Sequence, residues 1–243
     1  MNIFDVKNFC ASVNCEYNYI KGFYLSCNEF SYSFKSGAYA LTGDIYDGSW
    51  AFAYSLCPMK KEHWTIDQER VSLCWNGKKV TFQEIEKMTW YVGYYENKKN
   101  IFIKNHSVRE KIEKAISKNN LKYTSNEIRE MFLLSDIRFD RPLNAVGIEM
   151  MRASMAIGFC QNKNIFCFPY MGIGVLYDKL DQFKYLFEIL KAFDKIVLLP
   201  VLSTHLLPSV FDEEVNINQL FFDGLSPENK EYLQKNSIYI KPF

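Results

Sequence analysis

No two cysteines in this chain stand in a C-x-x-C spacing. The seven present (Cys10, Cys15, Cys27, Cys57, Cys74, Cys160 and Cys167) are scattered and odd in number, which argues against a disulfide framework or zinc site and for reduced, mostly buried thiols. Histidine is scarce too. His63, His106 and His205 are the only three, and none is spaced with a cysteine or carboxylate as a metal-ligand set. An excess of one charge is also missing: 29 basic residues face 28 acidic ones, a net charge of +1. No global attraction to nucleic acid or membrane follows, and no nucleic-acid partner is expected. No apolar run approaches the ~20 residues of a membrane-spanning helix. The opening MNIFDVKNF lacks the basic start and apolar stretch of a signal peptide. The expectation is a cytoplasmic protein.

What the chain does have is an ordinary globular balance, 48% hydrophobic and 23% charged, with a generous 16% of aromatics. Its 243 residues suit one α/β domain or two small lobes with a sizeable core. Gly43-Asp44-Ile45-Tyr46-Asp47-Gly48-Ser49-Trp50 has the outline of a phosphate-binding loop, G-x-x-x-x-G-K-[ST]. Both glycines are correctly spaced, but Ser49 stands at the lysine position and Trp50 at the Ser/Thr position. Lysine supplies the cation for the terminal phosphates and the hydroxyl holds magnesium. Neither group is here.

The surroundings suit such a loop. Residues 1–41 read as short strands, and AYALTG is a buried strand ending at Gly43. SWAFAYSL after Gly48 reads as a short helix, completing strand, loop and helix. VSLCWNGKKVTF reads as a hairpin with a type I′ turn at Asn76-Gly77. Gln83–Met88 forms one or two helical turns and TWYVGYY a strand.

From about 95 to 160 the character is helical. Ser107/Glu110 and Thr124/Glu127 match the capping box. Val108, Ile112, Ala115 and Ile116 make one apolar face, and Ile128, Met131 and Phe132 another. A third places Ile148, Met151, Met155 and Phe159 on one stripe. Then IFCF is a buried strand stopped by Pro169, and Asp178–Ala192 is a helix. KIVLLPVL is a buried strand, with an end or bulge expected at Pro200. Glu213–Ile217 reads as a strand and Ser226-Pro227 as a helix start.

This order resembles an ATP-binding subunit of an ABC transporter over roughly residues 20–225. SYSFKSGAYALTGDIYDGSWAF is similar to the Walker A region, and KMTWYVGY to the segment ending in the Q-loop, with Tyr94 at the glutamine. GIEMMRASMAIGF is similar to the signature helix: Val146, Gly147, Ile148 and Glu149 replace the S-G-G-Q core, and Arg152 is the basic residue after it. KNIFCFPYM resembles Walker B, with Pro169 at the metal-binding aspartate and Tyr170 at the catalytic glutamate. VLLPVLSTHLLPSV resembles the switch strand and keeps the family's histidine as His205.

The resemblance implies an α/β P-loop NTPase-like ABC ATPase fold with an N-terminal antiparallel β part. It implies one domain over 1–243, with an α/β core at about 1–95 and 161–243 and a helical subdomain at about 96–160. An NTPase must neutralise phosphate, hold magnesium and orient a water. Ser49, Trp50, Tyr94, Pro169 and Tyr170 supply none of this, and Asp178 and Asp181 fall on the following helix as a solvated face. His205 alone has no γ-phosphate to sense and reads as a hydrogen-bonded residue. Gly43 and Gly48 retain amides that can face an anion, but Asp44 and Asp47 repel phosphate, so Trp50 or Tyr46 is expected to plug the site. Val146 and Ile148 spoil the donation to a partner's site.

The expectation is a non-catalytic subunit without catalytic residues, metal or other cofactor, ATP binding being disfavoured. It docks on a membrane permease at the cytoplasmic face and pairs with a competent ATPase or with itself. The alternatives are a free-standing soluble protein-binding or sensor module and, less favoured, an active ATPase. One further feature is Glu96–Lys122, where eight basic residues face Glu96, Glu110 and Glu113. It reads as a solvated helix face, or as a contact for an acidic partner or anionic lipid.

Overall fold

The computed structural model describes residues 1–17, 20–43, 48–58, 64–66, 70–93, 106–204 and 210–217, with backbone only for 10–17, 20–29, 64–66 and 173. Asp44, Tyr46, Asp47, His63, Tyr94, His205 and the Ser226-Pro227 helix start lie outside the described residues.

Two sheets stack. The first is antiparallel: β1 (Ile3–Tyr17) pairs with β2 (Ile20–Lys35), with β4 (Trp64–Ile66) and with β5 (Ser72–Trp75), and β5 pairs with β6 (Lys78–Val80). The second is parallel throughout. Its order is β10 (Glu213–Asn216), β3 (Gly37–Thr42), β9 (Ile196–Val201), β8 (Ile165–Cys167), β7 (Thr89–Tyr91).

Strand alternation divides the core. Ala38, Ala40, Val197 and Leu199 face a helical layer, while Tyr39, Leu41, Ile196 and Leu198 face the antiparallel sheet. The parallel sheet is therefore covered on both faces, which is why β3 and β9 read as unbroken apolar runs. Between the sheets lies α1 (Ser49–Ser55). Its Phe52 sits in an aromatic nest, 4.9 Å from Phe9 and from Phe30 and 5.7 Å from Phe34, ring centre to ring centre. On the other face are α3 (Val108–Asn119), α4 (Ser125–Met131), α5 (Asp136–Phe139), α6 (Met150–Cys160) and α8 (Leu180–Ala192). The short α2 (Phe82–Met88) leads into β7, and α7 (Ile173–Tyr177) precedes α8.

Local chemistry explains the boundaries. Asn76 and Gly77 both take positive φ, 50° and 75°, as a type I′ turn between β5 and β6 requires. Both expected capping boxes form: Glu110 N donates to Ser107 Oγ at 3.1 Å, and Glu127 N to Thr124 Oγ1 at 3.2 Å. A third, Thr81 with Glu84, starts α2.

Some expectations need correction. Residues 1–35 hold two long strands, not several short ones; bulges between Val6 and Ala11 absorb the kink at Asn8 (φ 53°) and pairing resumes beyond it. Ile148 is off the buried stripe of the third helix. It lies in a 3-10 turn (Gly147–Glu149) before α6 and is 71% exposed. Of the two outcomes expected at Pro200 the strand end is the one that forms, β9 stopping at Val201, and there is no bulge. The carbonyl of Pro200 accepts from Met171 N on the side of β8, and β8 has already ended there, so its missing N–H costs no ladder bond. Asp178 caps the C-terminus of α7, and only Asp181 lies in α8.

Candidate functional site

Parallel strands present their C-terminal ends on one edge, where ligands bind open α/β sheets. The candidate segments gather along this edge. Gly43 follows β3, Pro169 and Tyr170 follow β8, Val92 and Gly93 follow β7, and Leu202 to Thr204 follow β9. Backbone bonds knit the edge: Gly43 N donates to Val201 O (3.1 Å), Met171 N to Pro200 O (3.0 Å) and Val92 N to Cys167 O (2.8 Å).

At the loop's far end Gly48 takes φ 86°, a left-handed conformation that favours glycine, and precedes α1. Ser49, read as the lysine position, is fully buried, and among the described residues its Oγ has no hydrogen-bond partner; Thr42 Oγ1 at the end of β3 is buried and likewise without a described partner. A neutral hydroxyl folded into the core cannot stand in for an extended ammonium. Trp50 is half-buried and turned towards β7. Its Nε1 donates to Tyr91 Oη at 3.0 Å, and Tyr54 packs between, with ring centres 5.4 Å from Trp50 and 5.3 Å from Tyr91. Burial pushes the Tyr91 phenol well above its ordinary range, so it stays neutral. Pro169 and Tyr170 are half-buried and bring no carboxylate. These side chains offer a magnesium-nucleotide neither an ammonium nor a carboxylate.

Of the residues read as signature positions, Glu149 enters a mostly buried ion cluster. Val146 is in the helical core, while Gly147 (φ 57°) and Ile148 are exposed. Glu149, with its side chain 7% exposed, accepts from Ser135 N at 3.0 Å and pairs with Arg138 and Arg152, each at 3.4 Å. Arg152 also donates to the carbonyl of Leu133 at 2.5 Å, a residue held at φ 53°. Burial lowers the pKa of the Arg152 guanidinium, against the pull of Glu149. The carboxylate thus ties the turn before α6 to the α4–α5 connection.

Two features escaped the sequence reading. Ser154 on α6 is fully buried and accepts from Trp90 Nε1 (3.0 Å) and Gly93 N (2.8 Å), fastening the helical layer to the end of β7. The small pair Ser154 and Gly158, one turn apart, was the available signal for such a close approach. Asp212 accepts from Ala38 N (2.8 Å) and Lys191 Nζ (2.6 Å), steadying the start of β3. Nothing in the sequence marked it.

No family model and no curated protein sequence matches this chain. Solved structures do resemble it. An ATP-binding cassette of an ABC transporter in its ADP conformation aligns over 98% of this chain and 100% of its own, with 14% identity and a TM-score of 0.59. A Pyrococcus furiosus protein described as an ABC-transporter ATP-binding protein aligns over 89% and 98%, with 14% identity and a TM-score of 0.55. Clostridium perfringens cbiO1, part of the ABC transporter complex cbiONQ, aligns over 98% and 95%, with 13% identity and a TM-score of 0.52. The chain has the α/β, P-loop NTPase fold of ABC-transporter ATP-binding domains.

Proposed function

We propose that this chain is a non-catalytic, ATPase-like subunit of an ABC transporter, a single domain of about 1–243 with a helical insert at about 96–160. It docks on a membrane permease at the cytoplasmic face and pairs with a competent ATPase or a second copy of itself. The observation that carries the reading is the loop end at α1. Ser49 is buried where a cation is needed, and Trp50 is bonded to Tyr91 where a metal-binding hydroxyl is needed. Pro169 and Tyr170 extend the same loss to the end of β8, and Glu149 is committed to Arg138 and Arg152. Fold and chemistry separate because folding depends on burial, not on these side chains.

The permease partner is supported by the fold and by the complex to which cbiO1 belongs. Among the described residues no helix is long and apolar enough to cross a membrane. Affinity purification from detergent-solubilised membranes tests this. Recovery of a polytopic membrane protein in fixed proportion supports the reading, and a monomer free of any such protein opposes it. A soluble protein-binding module is the second reading, favoured by the exposed Leu133, Ile137 and Ile148 around the Glu149 cluster. Recovery of soluble partners alone would favour it.

A further inference from the structure

Helix α3 lines up its lysines. Lys111, Lys114 and Lys118 recur at i, i+3 and i+7, which places them on one flank, and Lys122 follows just beyond the C-cap Asn120. The helix's two acids are occupied: Glu110, one turn before Lys114, accepts from Ser107 N at 2.8 Å, and Glu113 accepts from Ser125 Oγ at 2.9 Å. Lys114, Lys118 and Lys122 are exposed. Among the described residues none of these three is in an ion pair. The imbalance is regional. Residues 96–122 hold eight basic and three acidic residues of the chain's 29 and 28, leaving 21 basic against 25 acidic elsewhere.

We propose that this lysine flank rests on an anionic lipid surface. A protein partner fits it poorly, because interface centres are apolar or aromatic and depleted in lysine, and no exposed large apolar side chain belongs to α3. Nucleic acid is disfavoured by the absence of arginine or aromatic side chains from the row, since these give planar donors and stacking. Mobile, strongly hydrated ammonium groups in a line suit a layer of mobile phosphate and carboxylate head groups, where no fixed geometry is needed. The contact does not depend on whether the chain binds nucleotide.

Co-sedimentation of the purified full chain with vesicles is the test, comparing phosphatidylcholine alone with phosphatidylcholine plus phosphatidylserine. Binding is expected only with phosphatidylserine, and is expected to vanish near ~0.5 M salt as screening shortens. Each Lys→Ala change should weaken partitioning about fivefold, so K114A/K118A/K122A should weaken it on the order of 100-fold. A K78A/K79A control in the β5–β6 turn region should leave it unchanged. The proposal is overturned by equal binding to both vesicles, by no binding, or by a folded triple variant that binds as well as wild type. Loss of helical stability without loss of vesicle binding overturns it too, assigning the lysines to the helix dipole. Displacement from vesicles by duplex DNA at lower concentration than by phosphatidylserine vesicles also overturns it, in favour of nucleic acid.

Discussion

Glu149 and Gly158 are single residues on whose side chains, present or absent, the helical layer depends. Glu149 is a buried carboxylate with two guanidinium partners and one backbone donor. Removing one member of a buried ionic cluster leaves the others uncompensated. Glu149→Ala is therefore expected to cost about 3 kcal/mol in urea unfolding, and Glu149→Gln, which keeps the shape and one acceptor, clearly less. An equal, negligible loss in both would mean that the cluster holds nothing. At Gly158 an added Cβ would lie 2.6 Å from the Trp90 ring and 3.0 Å from Phe166. Gly158→Ala should lose about 1–3 kcal/mol through overpacking, although alanine is the better helix former. A stabilised variant would show that α6 has room to shift.

At the scale of elements, helix starts and turns were legible because each is written in a few adjacent residues. Ser107/Glu110, Thr124/Glu127 and Asn76-Gly77 act locally, so no knowledge of the fold was needed to read them. The loop's setting between a buried strand and a short helix was legible for the same reason. What the sequence hid is non-local. The commitment of Glu149 to Arg138, the double acceptance by Ser154 and the bracing of β3 by Asp212 join residues that only the fold brings together. The stripe drawn through Ile148 failed because periodicity alone does not mark where a helix begins, and the 3-10 turn at Gly147 swings that side chain outward.

The caps also carry a pH signature. The Glu84 and Glu127 carboxyls lie below their ordinary range, first because each accepts from the backbone N–H of its N-cap threonine. Asp140 is lowered by its hydrogen bond from Arg109. A carboxyl depressed in the folded state adds stability above its unfolded pKa, and that stability is lost as pH falls through the folded value. The melting temperature should therefore drop on acidification from the ordinary carboxylate range downward. Glu127→Gln, which still accepts the cap bond, should show a shallower drop. An identical pH profile would remove the cap from the account. Ser107→Ala should cost about 1 kcal/mol at neutral pH, read from denaturant unfolding.

For the whole molecule, a fold shared with ATP-binding cassettes at 13–14% identity leaves function to the side chains at the sheet edge. That edge holds buried hydroxyls, a bonded indole, a proline and tyrosines, and our account gives the chain a docking role without ATP turnover. Phe52 illustrates what such a role preserves. Phe52→Ala should cost about 3–5 kcal/mol by emptying the nest of Phe9, Phe30 and Phe34, although it touches no reacting group. The most direct test of the central claim is steady-state hydrolysis of magnesium-ATP by the purified chain. The account predicts phosphate release at the buffer rate, unchanged in His205→Ala. Saturable, protein-dependent release that His205→Ala abolishes would contradict it.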